Sequence, residues 1–161
     1  MDKILISACL LGRPVRYNGT ARPITNVTLA RWQQDGRLVP LCPEVSAGLP
    51  TPRPPAEIAQ GSRAEDILRE KRGLVEVSGR DVADIYCNGA LQALELAHSE
   101  GCKFAILTDG SPSCGSSFIY DGTFSSQKIA GMGVVTALLR QNGIQVFSEN
   151  QIDIVAELIE R

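Results

Sequence analysis

Three of the five cysteines in this chain each follow a run of residues that reads as a buried β-strand. Cys9 follows Lys3-Ile4-Leu5-Ile6-Ser7-Ala8, and Cys42 follows Arg37-Leu38-Val39-Pro40-Leu41. Cys114 lies just past Lys103-Phe104-Ala105-Ile106-Leu107-Thr108, inside Ser111-Pro112-Ser113-Cys114-Gly115. If these strands are parallel neighbours, their carboxyl ends share one sheet edge, where open α/β folds bind ligands. Soft thiolates arriving together there suit zinc or an iron–sulfur cluster. A catalytic zinc takes three protein ligands and keeps one position open. A cubane cluster normally takes four cysteines, so three leave one iron free to act as a Lewis acid. The gaps between the cysteines are wide, and spacing alone does not separate zinc from a cluster. A free cysteine is also often no more than a small buried hydrophobe. Cys87, inside a predicted helix, and Cys102, between that helix and the next strand, fit this packing role and are left out of the site. No pair forms Cys-x-x-Cys, which removes zinc-ribbon and thioredoxin-like motifs.

Polar partners for the thiols are few. Glu44 stands two residues past Cys42 and could serve as a general acid or base, or as a group behind the metal ligands. Ser111 and Ser113 bracket Pro112 ahead of Cys114, and Ser116 and Ser117 follow Gly115. Such a Gly- and Ser-rich loop could also form an anion nest of backbone N–H groups. His98 is the only histidine, and it falls on the polar side of a helix far from the cysteine loops. Cys–His and Ser–His nucleophile dyads are therefore weak candidates. Arg13, Arg16, Arg22 and Arg53 lie on early loops, where one could hold an anionic or carbonyl-bearing ligand through its fork of donors.

The elements that must position these groups alternate between strand and helix. Thr25 or Asn26 caps a predicted helix over residues 27–35, stopped by Gly36. Residues 43–57 hold five prolines and read as a long irregular loop of functional kind. A short helix over 64–71 and a short strand over 74–77 follow. From Asp81, a good N-cap, Val82, Ile85, Tyr86, Ala90, Ala93, Leu94 and Ala97 recur at helical spacing up to Gly101. Phe118-Ile119-Tyr120 and Thr123-Phe124-Ser125 flank Asp121-Gly122, which predicts a tight hairpin. A helix over 134–141, a strand over 144–147 and a last helix carrying Ile152, Val155, Ala156 and Ile159 complete the chain. The expectation is an α/β single domain over 1–161, Rossmann-like, with a mainly parallel sheet flanked by helices on both faces.

Composition excludes several classes. The 161 residues suffice for one core without disulfide staples, and the net charge is −2 with scattered Lys and Arg. That is not a nucleic-acid footprint. No apolar run is long enough to span a bilayer, and Met1-Asp2-Lys3-Ile4 does not open a signal peptide. A cytoplasmic protein with reduced cysteines is expected.

The motifs in order are Ser7-Ala8-Cys9-Leu10-Leu11-Gly12, Arg16-Tyr17-Asn18-Gly19, Cys42-Pro43-Glu44, Gly48-Leu49-Pro50-Thr51-Pro52-Arg53-Pro54-Pro55-Ala56-Glu57, Ser111-Pro112-Ser113-Cys114-Gly115 and Tyr120-Asp121-Gly122-Thr123-Phe124. Together they resemble the bacterial thiouracil desulfidases, over nearly the whole chain. The resemblance implies an oxygen-sensitive 4Fe-4S cluster held by three cysteines, matching Cys9, Cys42 and Cys114. It implies that the unique iron binds the sulfur of a thiolated pyrimidine, which water then replaces without redox change. It also places the catalytic carboxylate on Glu44 and the catalytic serine on Ser111. Relatives that act on thiolated transfer RNA carry a second domain. With no such domain and no basic face read here, a free thiolated nucleobase or nucleoside is the expected substrate. A sulfur carrier using the same cluster and a three-cysteine zinc protein are the competing readings. The oligomeric state is not legible.

Overall fold

In the computed structural model, which describes residues 1–160, the elements run in the order β1 (Ile4–Ser7), a 3-10 turn (Ala8–Leu11), α1 (Val27–Gln34), β2 (Leu38–Leu41) and α2 (Pro43–Ser46). Then come β3 (Ala56–Ile58), α3 (Ala64–Glu70), β4 (Leu74–Glu76), α4 (Ala83–Glu100) and β5 (Phe104–Leu107). The chain ends with β6 (Phe118–Tyr120), β7 (Lys128–Ala130), α5 (Val134–Gln141), β8 (Gln145–Ser148) and α6 (Ile152–Glu160). The central sheet has the order β2-β1-β5-β8, and all its pairings are parallel.

Alternation along each strand builds two cores. Leu5, Ala105, Leu107 and Val146 point to the layer that holds α4 and α5. Ile4, Ile6, Phe104 and Ile106 point to the opposite layer, with Leu29 and Trp32 of α1 and Ile152 and Val155 of α6. A sheet covered on both faces has near-continuous apolar strands, and β1 and β5 are buried at every position. Each such Leu or Ile contributes about 1.5–3 kcal/mol of burial. Pro40 is tolerated because β2 is an edge strand. Among the described residues no helix is long and apolar enough to cross a membrane.

Caps fall near the predicted positions. The Asn26 side chain accepts from Leu29 N at 3.0 Å at the start of α1. Asp81 acts one residue ahead of the expected geometry: Val82 is the N-cap of α4, while Asp81 Oδ1 accepts from Ala83 N at 2.9 Å. Gly101, at φ +70°, ends that helix.

Two expectations are corrected. The 43–57 stretch is not wholly irregular. Pro43 opens the short α2, where its missing N–H costs nothing, and Ala56 and Glu57 belong to β3, which pairs antiparallel with β4. The second hairpin also differs. β6 pairs with β7, Tyr120 facing Lys128, so residues 123–125 lie in the connection and Asp121-Gly122 is not its tight turn. Gly122 is instead required for close approach: a Cβ there would stand 2.6 Å from Ile58 O and 2.7 Å from Gln60 N.

Candidate active site

The carboxyl ends of β1, β2 and β5 open into one cavity of about 480 Å³, within the range of small-molecule sites. Cys9, Cys42 and Cys114 all line it, with Glu44 and Ser111 beside them. Arg16, Arg22 and Arg53 line it too, whereas Arg13 does not and is exposed. Cys87 and Cys102 are buried away from this cavity, and Cys87 Sγ contacts Ile67 O at 3.5 Å. His98 is exposed on α4.

Local backbone chemistry places each thiol. Cys9 sits in the 3-10 turn directly after β1, its Sγ 2.9 Å from Thr108 Oγ1 beyond β5. Cys42 is the N-cap of α2, and its Sγ lies 3.4 Å from Glu44 Oε2. Glu44 is buried, 8% exposed, on the first turn of α2. The turn rests on α4: a Cβ on Gly89 would stand 2.6 Å from Pro43 O. A mid-helix glycine costs about 1 kcal/mol relative to alanine, and this close approach accounts for it.

The Cys114 loop is held by side chains aimed at its own amides. Ser111 Oγ accepts from Cys114 N at 2.7 Å and from Ser113 N at 3.1 Å. Asp109 Oδ1 accepts from Ser116 N at 3.0 Å, Ser117 N at 3.1 Å and Phe118 N at 3.2 Å, and Ser117 Oγ donates to Oδ2. Asp109 N in turn donates to Glu149, which pairs with Arg22. Burial alone would raise the Asp109 pKa; these hydrogen bonds outweigh it and hold the carboxyl below its ordinary range. Gly133, at the start of α5, lies against the Ser113 backbone with no room for a Cβ.

All three thiols hold their protons more tightly than a free cysteine. Burial is the first cause for each. The Glu44 carboxylate adds to it, and Cys42 is pushed up to about 11. Cys114 also feels Cys42 and Cys9, so both lie within electrostatic reach of it. A cationic centre between them would reverse this preference and release the protons.

The donor set, three soft thiols lining one cavity, suits a cluster. Among the described residues no three His, Cys, Asp or Glu side chains stand together closely enough to hold a single metal ion. A polynuclear cluster spreads its thiolates around a larger body, and these three cysteines surround one cavity from three strands.

Some lining residues carry no signal in the sequence. Tyr86 shares the apolar spacing of α4 with core residues, yet it lines the cavity beside Glu44 and Arg53. Asp109 lies one residue past a strand-end threonine, and its partners come from a folded-back loop. Arg53, by contrast, is a candidate from the sequence, and it joins two early loops: its Nη2 donates to Val15 O at 2.9 Å, and its backbone N donates to Tyr17 O at 2.7 Å.

Comparison with known proteins bears on this cavity. Residues 4–151 match the family model described as 2-thiouracil desulfurase. A relative from Bacillus subtilis (strain 168), described as "Uncharacterized protein YbbK", is 43% identical over 150 residues, covering 93% of this chain and 97% of its own. A solved structure described as the [4Fe-4S]-dependent thiouracil desulfidase TudS is 47% identical, with a TM-score of 0.90 and 99% of each chain covered.

Proposed function

Because the chain belongs to the 2-thiouracil desulfurase family, we propose that it removes sulfur from thiolated pyrimidines such as 2- or 4-thiouracil, using a 4Fe-4S cluster held by Cys9, Cys42 and Cys114. The domain spans 1–161 and acts in the cytoplasm on a free nucleobase or nucleoside. The observation that carries this reading is the convergence of three thiols and one buried carboxylate in a single cavity at the sheet's carboxyl edge.

The reaction is a substitution without redox change: water supplies oxygen to the ring carbon, the carbon–sulfur bond breaks, and sulfur leaves as hydrogen sulfide. The cluster, when bound, supplies an iron without a protein ligand, a Lewis acid for the substrate's sulfur that polarises the carbon–sulfur bond. Glu44 is the general base. Its carboxylate takes a proton from the attacking water and returns it to the departing side, so no histidine is needed. Ser111 positions the substrate. Two backbone N–H groups occupy its oxygen, which leaves its O–H as a donor. That donor orients the pyrimidine. Tyr86 is a neutral phenol: burial, then the Glu44 carboxylate, hold its pKa far above neutrality.

Anaerobic reconstitution tests the reading. The expected result is a brown protein with iron and acid-labile sulfide that converts thiouracil to uracil and sulfide over many turnovers. Cys9→Ala, Cys42→Ala and Cys114→Ala each lose the iron, whereas Cys87→Ser and Cys102→Ser keep it. A protein that stays colourless and inactive after reconstitution overturns the proposal. Sulfide uptake without steady-state uracil makes it a carrier instead, and stoichiometric zinc in anaerobically prepared protein makes it a zinc site.

A further inference from the structure

Two sequence motifs have so far no part in the chemistry: the Glu57 end of the proline-rich stretch and the Tyr120-Asp121-Gly122-Thr123-Phe124 segment. The fold joins them. Glu57 Oε1 accepts from Gly122 N at 2.9 Å and from Phe124 N at 3.1 Å, across more than sixty residues of sequence. Both bonds fall on one carboxylate oxygen. The backbone they hold is unusual, since Phe124 sits at φ +58° and Ser126 at φ +63°. Non-glycine residues adopt the left-handed region at a cost, and persist there when the surroundings over-determine it. Glu57, Phe124 and Ser126 all line the cavity.

The cavity wall next to Phe124 is aromatic. Phe118 and Tyr120 share one side of β6 and also line the cavity, with ring centroids 6.0 Å apart at 90°. Lys128 Nζ lies 4.5 Å from the Phe118 centroid. Gly110 fixes this wall to the sheet edge: a Cβ there would stand 2.8 Å from the Phe118 ring. Among the described residues Phe124 has no ring partner of its own.

The geometry points to Phe124 as the platform on which the substrate's flat ring stacks, and to Glu57 as the positioning residue that holds it there. This inference rests on the pyrimidine reading of the cavity. Stacking is a face-to-face contact that any planar base satisfies. It therefore sets the class of substrate, a heteroaromatic ring, and leaves the thio position to the groups near the thiols. Aliphatic thioamides and thioureas, which present no aromatic face, are selected against. Base–aromatic stacking corresponds to roughly 5- to 150-fold in affinity.

The test is equilibrium binding of uracil, the expected product, to anaerobically reconstituted protein, with iron content measured on every sample. Phe124→Ala and Glu57→Ala are expected to weaken uracil binding by at least about fivefold with iron content as in the unaltered protein. Phe124→Tyr keeps the aromatic face and Glu57→Gln keeps an acceptor oxygen, so each restores most of the affinity. In turnover the Phe124→Ala loss falls on KM more than on kcat. Unchanged uracil affinity in Phe124→Ala overturns the inference, as does Phe124→Tyr binding no better than Phe124→Ala, or loss of iron from Phe124→Ala. If the unaltered protein binds uracil but releases no sulfide from thiouracil, the desulfurising reading falls, and the same affinity comparison still decides the stacking. If the unaltered protein binds no uracil, the stacking platform falls.

Discussion

Gly89 of α4 and Pro43 of the Cys42 turn are in backbone contact, with no space between them for a methyl group. A helix on one face of the sheet thereby sets the height of a thiol and of the buried Glu44 at the sheet's edge. Tyr86, one turn earlier on the same helix, also lines the cavity.

Gly89→Ala follows from that contact. Helix propensity alone predicts a gain of about 1 kcal/mol. Overpacking against a backbone carbonyl costs about 1–3 kcal/mol, so net destabilisation is expected. The Cys42 turn must shift, and iron content after reconstitution should fall. Thermal unfolding and iron analysis check both effects. A more stable variant with full iron would show that the contact relaxes freely.

Glu44→Gln should fold, bind iron and lose turnover. The amide keeps the volume but cannot take a proton at neutral pH. The expected loss in kcat is about 100-fold or more, read as uracil formed per iron-loaded protein.

Ser111→Ala should lose both activity and some stability. The proposed role of the hydroxyl is to orient substrate, and its oxygen also accepts from the Ser113 and Cys114 amides. Losing those acceptors costs about 1 kcal/mol, measurable by urea unfolding. Iron should be retained, since the thiol itself is untouched.

Asp109→Asn carries a pH signature. The folded carboxyl is held below its ordinary value of 3.8 by the hydrogen bonds it accepts, against its burial. A depressed folded pKa stabilises above the unfolded value, and that contribution fades as the pH falls through the folded value. The variant should therefore be less stable than the unaltered protein by about 2 kcal/mol at pH 7. The gap should narrow on acidification below about pH 4. Denaturant unfolding of both proteins at pH 7 and pH 3 measures it. Equal gaps at the two pH values would rule out the charged carboxylate as the cause.

Much of the architecture was legible because it is local. Apolar runs before Cys9, Cys42 and Cys114 marked three strands, and Asn26 and Gly101 marked helix ends. The thiols were legible as a set because parallel strands must share a carboxyl edge. Asp121-Gly122 is a common turn signal, and it predicts a tight hairpin that the fold does not form. Here that glycine answers to Ile58 and Gln60, which no nearby residue announces.

Local pattern alone specifies the alternation of strands and helices, the three thiols at strand ends and the nearness of Glu44 to Cys42. These follow from hydrophobic period and chain adjacency, which act over a few residues. The assembled fold is what brings Tyr86 to the cavity as well as the core, ties the Cys114 loop to Asp109, and carries Glu57 to Phe124. Those relationships join residues far apart in the chain through hydrogen bonds and close packing. Such contacts exist only once the sheet has brought its loops to one edge.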